Sequence, residues 1–379
     1  GNSNVASGGC ALLTNTTGAY NTASGFKALA ANTTASRNTA SGYTSLRATT
    51  TGGCNTAYGF GTMITNTTGA CNTALGYQAM YENTTGYNNA AVGFCALRAN
   101  TTGHTNAAVG AYAMKLNTTG LYNSAVGSGA MCNNTTGCYN VAMGLSALVG
   151  NTTGHCNVAT GLYALYYNNA NENTASGAYA LMCNTSGSRN TAFGARAMHG
   201  SAAGTESYNS AMGYAALSGV STGQKNTASG AYAMKDNTTG THNTATGYES
   251  LKTNISGARN TAVGVYSMRY NTTGCDNVAV GYQTLKGNSS GKWNTATGGY
   301  ALYLNTSACS NTASGYYAMH QNTIGCANVA TGLQALRYNT CGVNNVAVGT
   351  WALRHNTSGC RNVVVGTSSM YNNTTGIQN

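Results

Sequence analysis

The sequence predicts an all-β protein, a β-solenoid (parallel β-helix or β-roll) of about 22 coils with one 17-residue repeat per coil. Three observations carry that expectation. The phrase Asn-Thr-Ala-Leu-Gly-Tyr-Gln-Ala-Met-Tyr-Glu-Asn-Thr-Thr-Gly, residues 72–86, recurs with a period of 17. Some slots of the repeat are fixed while others accept almost anything. Proline is absent from all 379 residues, as expected where nearly every coil must both donate and accept ladder hydrogen bonds.

The Asn of Asn-Thr-Thr-Gly is numbered slot 0, which places it at Asn66, Asn83, Asn100, Asn117 and onward to Asn373. The internal copies then report what each slot demands. Slot 6 is always Asn. Slot 8 is Ala except at Val364, and slot 10 is always Gly, from Gly8 to Gly366. Slot 13 is Ala, Ser or Thr, and slot 14 is Leu or Met throughout.

Each slot has a physical reading. Asn at slots 0 and 6 predicts amide ladders that bond coil to coil and satisfy turn backbone. Thr-Ala-x at slots 7 to 9 reads as a short strand, and Gly at slot 10 as a corner with positive φ or a close backbone approach. The x-x-Ala-Leu piece reads as a second extended segment, with slot 14 as the main core residue. Ala at slots 8 and 13 implies close packing, either across the core or against a neighbouring chain. A unit this short buries no core alone, so the copies must stack.

The unbroken period predicts a single repeat domain over 1–379, with irregular coils near 168–173, where one residue is deleted, and 201–208, where two are inserted. Stacked at roughly 4.8 Å, the coils would form a rod on the order of 100 Å long. No apolar run approaches the length of a transmembrane helix. The chain starts inside a repeat at Gly1 and stops inside one at Asn379. That reads as a segment of a longer rod or a subunit that stacks end to end, and both point to a filament.

The Asn-Thr-Ala-x-Gly-x-x-Ala-Leu and Asn-Thr-Thr-Gly phrases resemble the repeats of phage tail-fibre-like proteins over essentially the whole chain. More loosely, they are similar to the left-handed β-roll heads of trimeric autotransporter adhesins. The phrase here is one residue shorter, as in Asn277 to Gly281, and the period is 17. These resemblances imply an extracellular fibrous or adhesive role, on a cell surface or a virion, and carry over no catalytic residue.

Variable slots are where binding could reside. Slot 15 holds nine of the seventeen basic residues. Lys235, Lys252, Arg269 and Lys286 sit there on consecutive coils. Like charges about 5 Å apart repel by around 1 kcal/mol even in water, so the row requires compensation. It is a candidate ladder for an anionic surface polysaccharide, or else a solvated face whose stems cover apolar surface. Slot 11 places Phe26, Tyr43, Phe60, Tyr77 and Phe94 on successive coils, a candidate aromatic stripe for stacking along the rod or packing between chains. No nucleic-acid-binding motif accompanies these rows, which disfavours a nucleic-acid partner.

Thirteen cysteines are many for so regular a chain. Cys54 with Cys71, and Cys309 with Cys326, lie one coil apart, a separation suited to disulfides and to an oxidising compartment. No Cys-x-x-Cys or His cluster points to a metal. Asn-x-Ser/Thr sequons occur at slot 0, including Asn15, Asn66, Asn237 and Asn356. They are glycosylation candidates on a secretory route, but glycans on successive coils would collide, and an amide ladder accounts for the same residues. Threonine rows at slots 1, 2 and 7 also admit a flat ice-binding face. Six scattered acidic residues offer no acid/base pair, and no nucleotide or nucleophile motif occurs. Neither an enzyme nor a cofactor is therefore expected. The expected function is a structural subunit of an extracellular fibre that assembles with itself end to end. The alternative is a trimeric shaft or adhesin that binds surface glycans.

Overall fold

The computed structural model describes residues 3–200 and 205–379. The protein is all-β, with 22 three-residue strands among these residues, all parallel wherever they pair. Two compact units are distinguishable, Gly1–Ser188 and Arg189–Asn379. The first carries β1 (Val5–Ser7) to β11 (Thr174–Ser176), and the second β12 (Thr191–Phe193) to β22 (Val363–Val365). Each unit is a β-solenoid with one strand per coil.

Register follows the repeat slot for slot. Thr73, Ala74 and Leu75 pair with Ala90, Ala91 and Val92 of the next coil. Within each strand slot 8 points inward and its neighbours outward, so Ala74 and Ala91 are buried. The inward residue is Ala because the interior is thin: the strand wall faces the Leu/Met row at slot 14 across little space. Ala at slots 8 and 13 therefore both belong to the core of their own chain.

The second expected strand does not form. Slots 13 and 14 are consecutive yet both fully buried, as in Ala79 with Met80 and Ala96 with Leu97. A strand alternates its side chains and cannot bury both. The chain turns instead, with slots 12 and 14 left-handed. Every slot-14 Leu or Met has positive φ, from 46° at Met319 to 55° at Leu148. That conformation costs roughly 1–2 kcal/mol for a residue with a Cβ. Full burial of a Leu or Met returns about 1.5–3 kcal/mol, and the backbone is bonded on both sides. The Met80 N–H donates to Ala96 O at 3.0 Å, and Met80 O accepts from the Asn83 N–H at 3.2 Å.

Both expected amide ladders are present. At slot 0, Asn83 Nδ2 donates to Asn66 Oδ1 of the preceding coil at 2.7 Å and to Gly86 O of its own turn at 3.0 Å. At slot 6, the N–H and Nδ2 of Asn89 both donate to Asn72 Oδ1, at 2.9 and 3.2 Å, and Nδ2 also donates to Gly103 O at 2.9 Å. Slot 6 thus supplies the acceptor for a backbone N–H that no carbonyl reaches. Gly at slot 10 meets both expectations: Gly76 has φ +134°, and a Cβ there would lie 2.5 Å from Gly93 O.

Around the deleted residue the register survives, with Val158 opposite Thr174. Asn169 makes up the missing contact: its Oδ1 accepts from the N–H groups of Thr152 and Thr153 at 3.0 and 2.9 Å. The slot-1 carbonyl of the next coil does this elsewhere, as Thr101 O does for Thr84 and Thr85. In the inserted segment, Ser201 to Gly204 lie outside the described residues. Beyond them the register resumes, with Thr191 opposite Ser210.

Candidate functional site

All 23 charged residues fall in slots 3, 4, 5, 12, 15 and 16; slots 7 and 9, the exposed strand face, carry none. The fold explains the partition. Slots 0, 6, 8, 13 and 14 are committed to the interior, while the turns carrying slots 11–12 and 15–16 leave their side chains on one surface strip.

The basic row forms as the spacing predicts, and it is compensated. Glu249 at slot 12 places one carboxylate oxygen 3.0 Å from Lys252 Nζ and the other 2.6 Å from Arg269 Nη2. Lys235 and Lys252 both lie over the Tyr232 ring, at 5.8 and 5.9 Å. Arg269 lies over Tyr266 and Tyr270, and Lys286 over Tyr303. Each such contact contributes about 0.5–1 kcal/mol at an exposed site. The same carboxylate raises the pKa of the neighbouring Tyr248 phenol above its ordinary value.

The aromatic stripe is real and exposed. Phe26, Tyr43, Phe60, Tyr77 and Phe94 stack face to face at 5.1–5.4 Å with nearly parallel planes. In the second unit Tyr alternates between slots 11 and 12, and the rings meet edge to face. Tyr214, Tyr232, Tyr248, Tyr266, Tyr282 and Tyr300 form this row at 5.3–6.4 Å. Both arrangements suit the ring quadrupole.

The cysteine staples are not formed. No disulfide joins any two of the thirteen cysteines. Cys309 and Cys326 bond to backbone instead: Cys309 Sγ donates to Ser307 O at 3.3 Å, and Cys326 Sγ accepts from the Cys309 N–H at 3.2 Å. Cys54 and Cys71 are exposed and unbridged. One coil of separation permits a disulfide, but the turn at slots 4 and 5 directs these thiols to local backbone or to solvent.

Of the sequon residues, Asn66, Asn237 and Asn356 are fully buried and Asn15 is half-buried. Their Nδ2 atoms donate to Gly69 O, Gly240 O, Gly359 O and Gly18 O. A glycan is attached through that nitrogen and leaves it one N–H, fewer than Asn356 uses for Asn339 Oδ1 and Gly359 O; at the three buried positions it would also meet the packed interior.

Two features escaped sequence reasoning. Glu206 takes the slot-3 place usually held by Gly. It is buried, neither carboxylate oxygen has a hydrogen-bond partner among the described residues, and desolvation pushes its pKa up to about 7. His320 is packed among Tyr300, Tyr303 and Tyr317, where burial, aided by Arg337, lowers its pKa to about 4. The surface also has open clefts. One of about 490 Å³ is lined by Arg196, His199, Tyr214, Ser218, Tyr232 and Lys235. Another of about 470 Å³ lies beside Trp351, Gln334 and Arg354. A gap in a row of long side chains, such as Ser218 in slot 15, is the sequence signal that could have revealed the first.

Among the described residues no group of three or more His, Cys, Asp or Glu side chains could hold a metal ion, and no helix is long and apolar enough to cross a membrane. No protein-family model matches the chain, and no curated protein matches it significantly.

Proposed function

We propose that the protein is a structural subunit of an extracellular fibre, extended by coil-on-coil stacking between copies. The observation that carries this reading is the sameness of the bonds between coils. Wherever the repeat is regular, a coil offers the next one the same slot-0 and slot-6 amides and the same backbone donors. A coil of a second molecule can be accepted by the same bonds. The exposed strand face adds a lateral surface: Leu75, Val109, Val126 and Met143 are 41–48% exposed, and no charge interrupts their rows. With no disulfide formed, the argument from an oxidising compartment falls away. The extracellular placement then rests on the resemblance to phage tail-fibre-like repeats.

Negative-stain electron microscopy with fibre diffraction tests the proposal. Long fibres with a meridional spacing near 4.8 Å are expected. Discrete short rods at every concentration would refute end-to-end growth and favour an isolated shaft or adhesin.

A further inference from the structure

The cleft around Ser218 arises from two coincident gaps. In the slot-15 row, Ser218 stands between His199 and Lys235; in the slot-12 row, Ala215 stands between Arg196 and Tyr232. One coil is thus cut short in both rows at once. Its neighbours wall a trough spanning two coil steps, roughly 10 Å, with Tyr214 of the short coil beside it. The volume of about 490 Å³ lies within the range of small-ligand sites.

The chemistry of the walls is one-sided. Arg196 is exposed and has no hydrogen-bond or ion-pair partner among the described residues, and Lys235 has only the face of Tyr232. Elsewhere in the basic row Lys252 and Arg269 share Glu249, while Arg337 and Arg354 bond to Gln334. No carboxylate lines the cleft. The lining supplies cations, an imidazole, hydroxyls and the Tyr214–Tyr232 ring pair, whose centroids are 5.4 Å apart.

Phosphate cradles are built chiefly from free backbone amides, and here several of the amides around the cleft are occupied. The N–H groups of Ala215, Gly219, Tyr232 and Lys235 donate to Ala195 O, Lys235 O, Tyr214 O and Tyr232 O. With those amides taken, side chains are the main groups on offer to an anion, and the Arg196 fork suits a carboxylate or sulfate. Ring faces and hydroxyls beside it suit the body of a sugar. We propose that this cleft binds an acidic saccharide, a pyranose that carries a carboxylate or a sulfate.

Calorimetric titration of the full chain with oligogalacturonate, with a sulfated galactan oligosaccharide and with the desulfated galactan tests this. At least one charged sugar is expected to bind, and its identity assigns carboxylate or sulfate; the neutral sugar is not. Arg196→Ala and Lys235→Ala should each weaken binding roughly ten- to a hundredfold, the loss of a charge-assisted contact. Arg196→Ala removes no hydrogen bond seen among the described residues, so the fold should survive it. Ser218→Lys separates the cleft from simple attraction to a chain of net charge +11. It adds a positive charge but fills the gap, so it should abolish binding, whereas non-specific attraction would strengthen. Lys27→Ala, far along the chain, should have no effect. The proposal is overturned if neither charged sugar binds, if Ser218→Lys binds as well as or better than the parent, or if single-stranded DNA displaces the sugar at lower concentration.

Discussion

Replacing Asn89 with Ala removes one rung of the slot-6 ladder, and the consequences can be followed atom by atom. The Asn89 N–H keeps Asn72 Oδ1. Gly103 O loses the Asn89 amide but keeps Asn100 Nδ2 at 2.9 Å. Asn106 fares worst: its Nδ2 retains Gly120 O, but its N–H loses Asn89 Oδ1, its acceptor at 2.9 Å. A buried backbone donor is left without a partner, which costs about 1–3 kcal/mol. The lost side-chain bonds add about 0.5–1.5 kcal/mol each, so the substitution should destabilise the first unit by roughly 3 kcal/mol. Urea unfolding gives the magnitude, and amide hydrogen exchange gives the location, because protection should fall most at Asn106. Thr73→Ala, on the exposed strand face of the preceding coil, should change stability by less than about 0.5 kcal/mol. If Asn89→Ala proves as mild as Thr73→Ala, or if Asn106 stays protected, the ladder is not what satisfies that backbone.

Three further predictions concern the corner, the buried titratable groups and the thiols. Gly76→Ala places a Cβ 2.5 Å from Gly93 O at φ +134°; it should cost more than about 2 kcal/mol by denaturant unfolding, and a result near zero would show that the corner relaxes freely. Glu206 has a folded pKa raised from 4.5 to about 7, so the stability tied to its protonated form is complete below pH 4.5 and is lost, by about 3 kcal/mol, as pH rises through 7. His320, lowered from 6.5 to about 4, works in the opposite sense: its contribution is present above pH 6.5 and is lost as pH falls through 4. Glu206→Gln should therefore leave a second unit whose stability rises with pH between 4 and 6.5, and His320→Phe one whose stability falls between 4.5 and 7; two parallel curves would refute the assignment. Under non-reducing conditions, a thiol reagent should modify exposed Cys54 and Cys71 quickly and Cys95 slowly, since Cys95 is buried and desolvation raises its thiol pKa; protection of Cys54 and Cys71 that reductant reverses would restore the disulfide.

Much of the coil was legible because repetition turns one sequence into its own comparison set. Asn at slot 6 and Gly at slot 10 never vary, and both proved to answer backbone geometry, an orphan N–H at Asn106 and a carbonyl contact at Gly76. The second side of the coil was misread because x-x-Ala-Leu was taken as one more extended segment. The adjacency of slots 13 and 14 was the stronger signal, since two neighbouring residues that are both restricted to apolar or small types must both face inward, which a regular strand does not allow. The ion pair linking Glu249 to Lys252 and Arg269 was out of reach, because Glu249 occurs at slot 12 once and no internal copy reports its role. Glu206 was hidden for the same reason, at a slot that elsewhere holds Gly or Ala.

The same contrast indicates where functional variation can enter this fold. A slot-6 Asn cannot change in one coil without stranding a bond in the next, as Asn89 and Asn106 illustrate. Adaptation is therefore confined to slots whose side chains leave the ladder, and there a change by subtraction has more effect than one by addition. Another lysine in the basic row only lengthens a row already covered by tyrosine faces and Glu249. A serine in the same place opens the row, exposes the cations on either side and gives a uniform surface one distinct address. The Ser218 coil has this form, with Arg196 and Lys235 both lining the gap and no carboxylate among the lining residues.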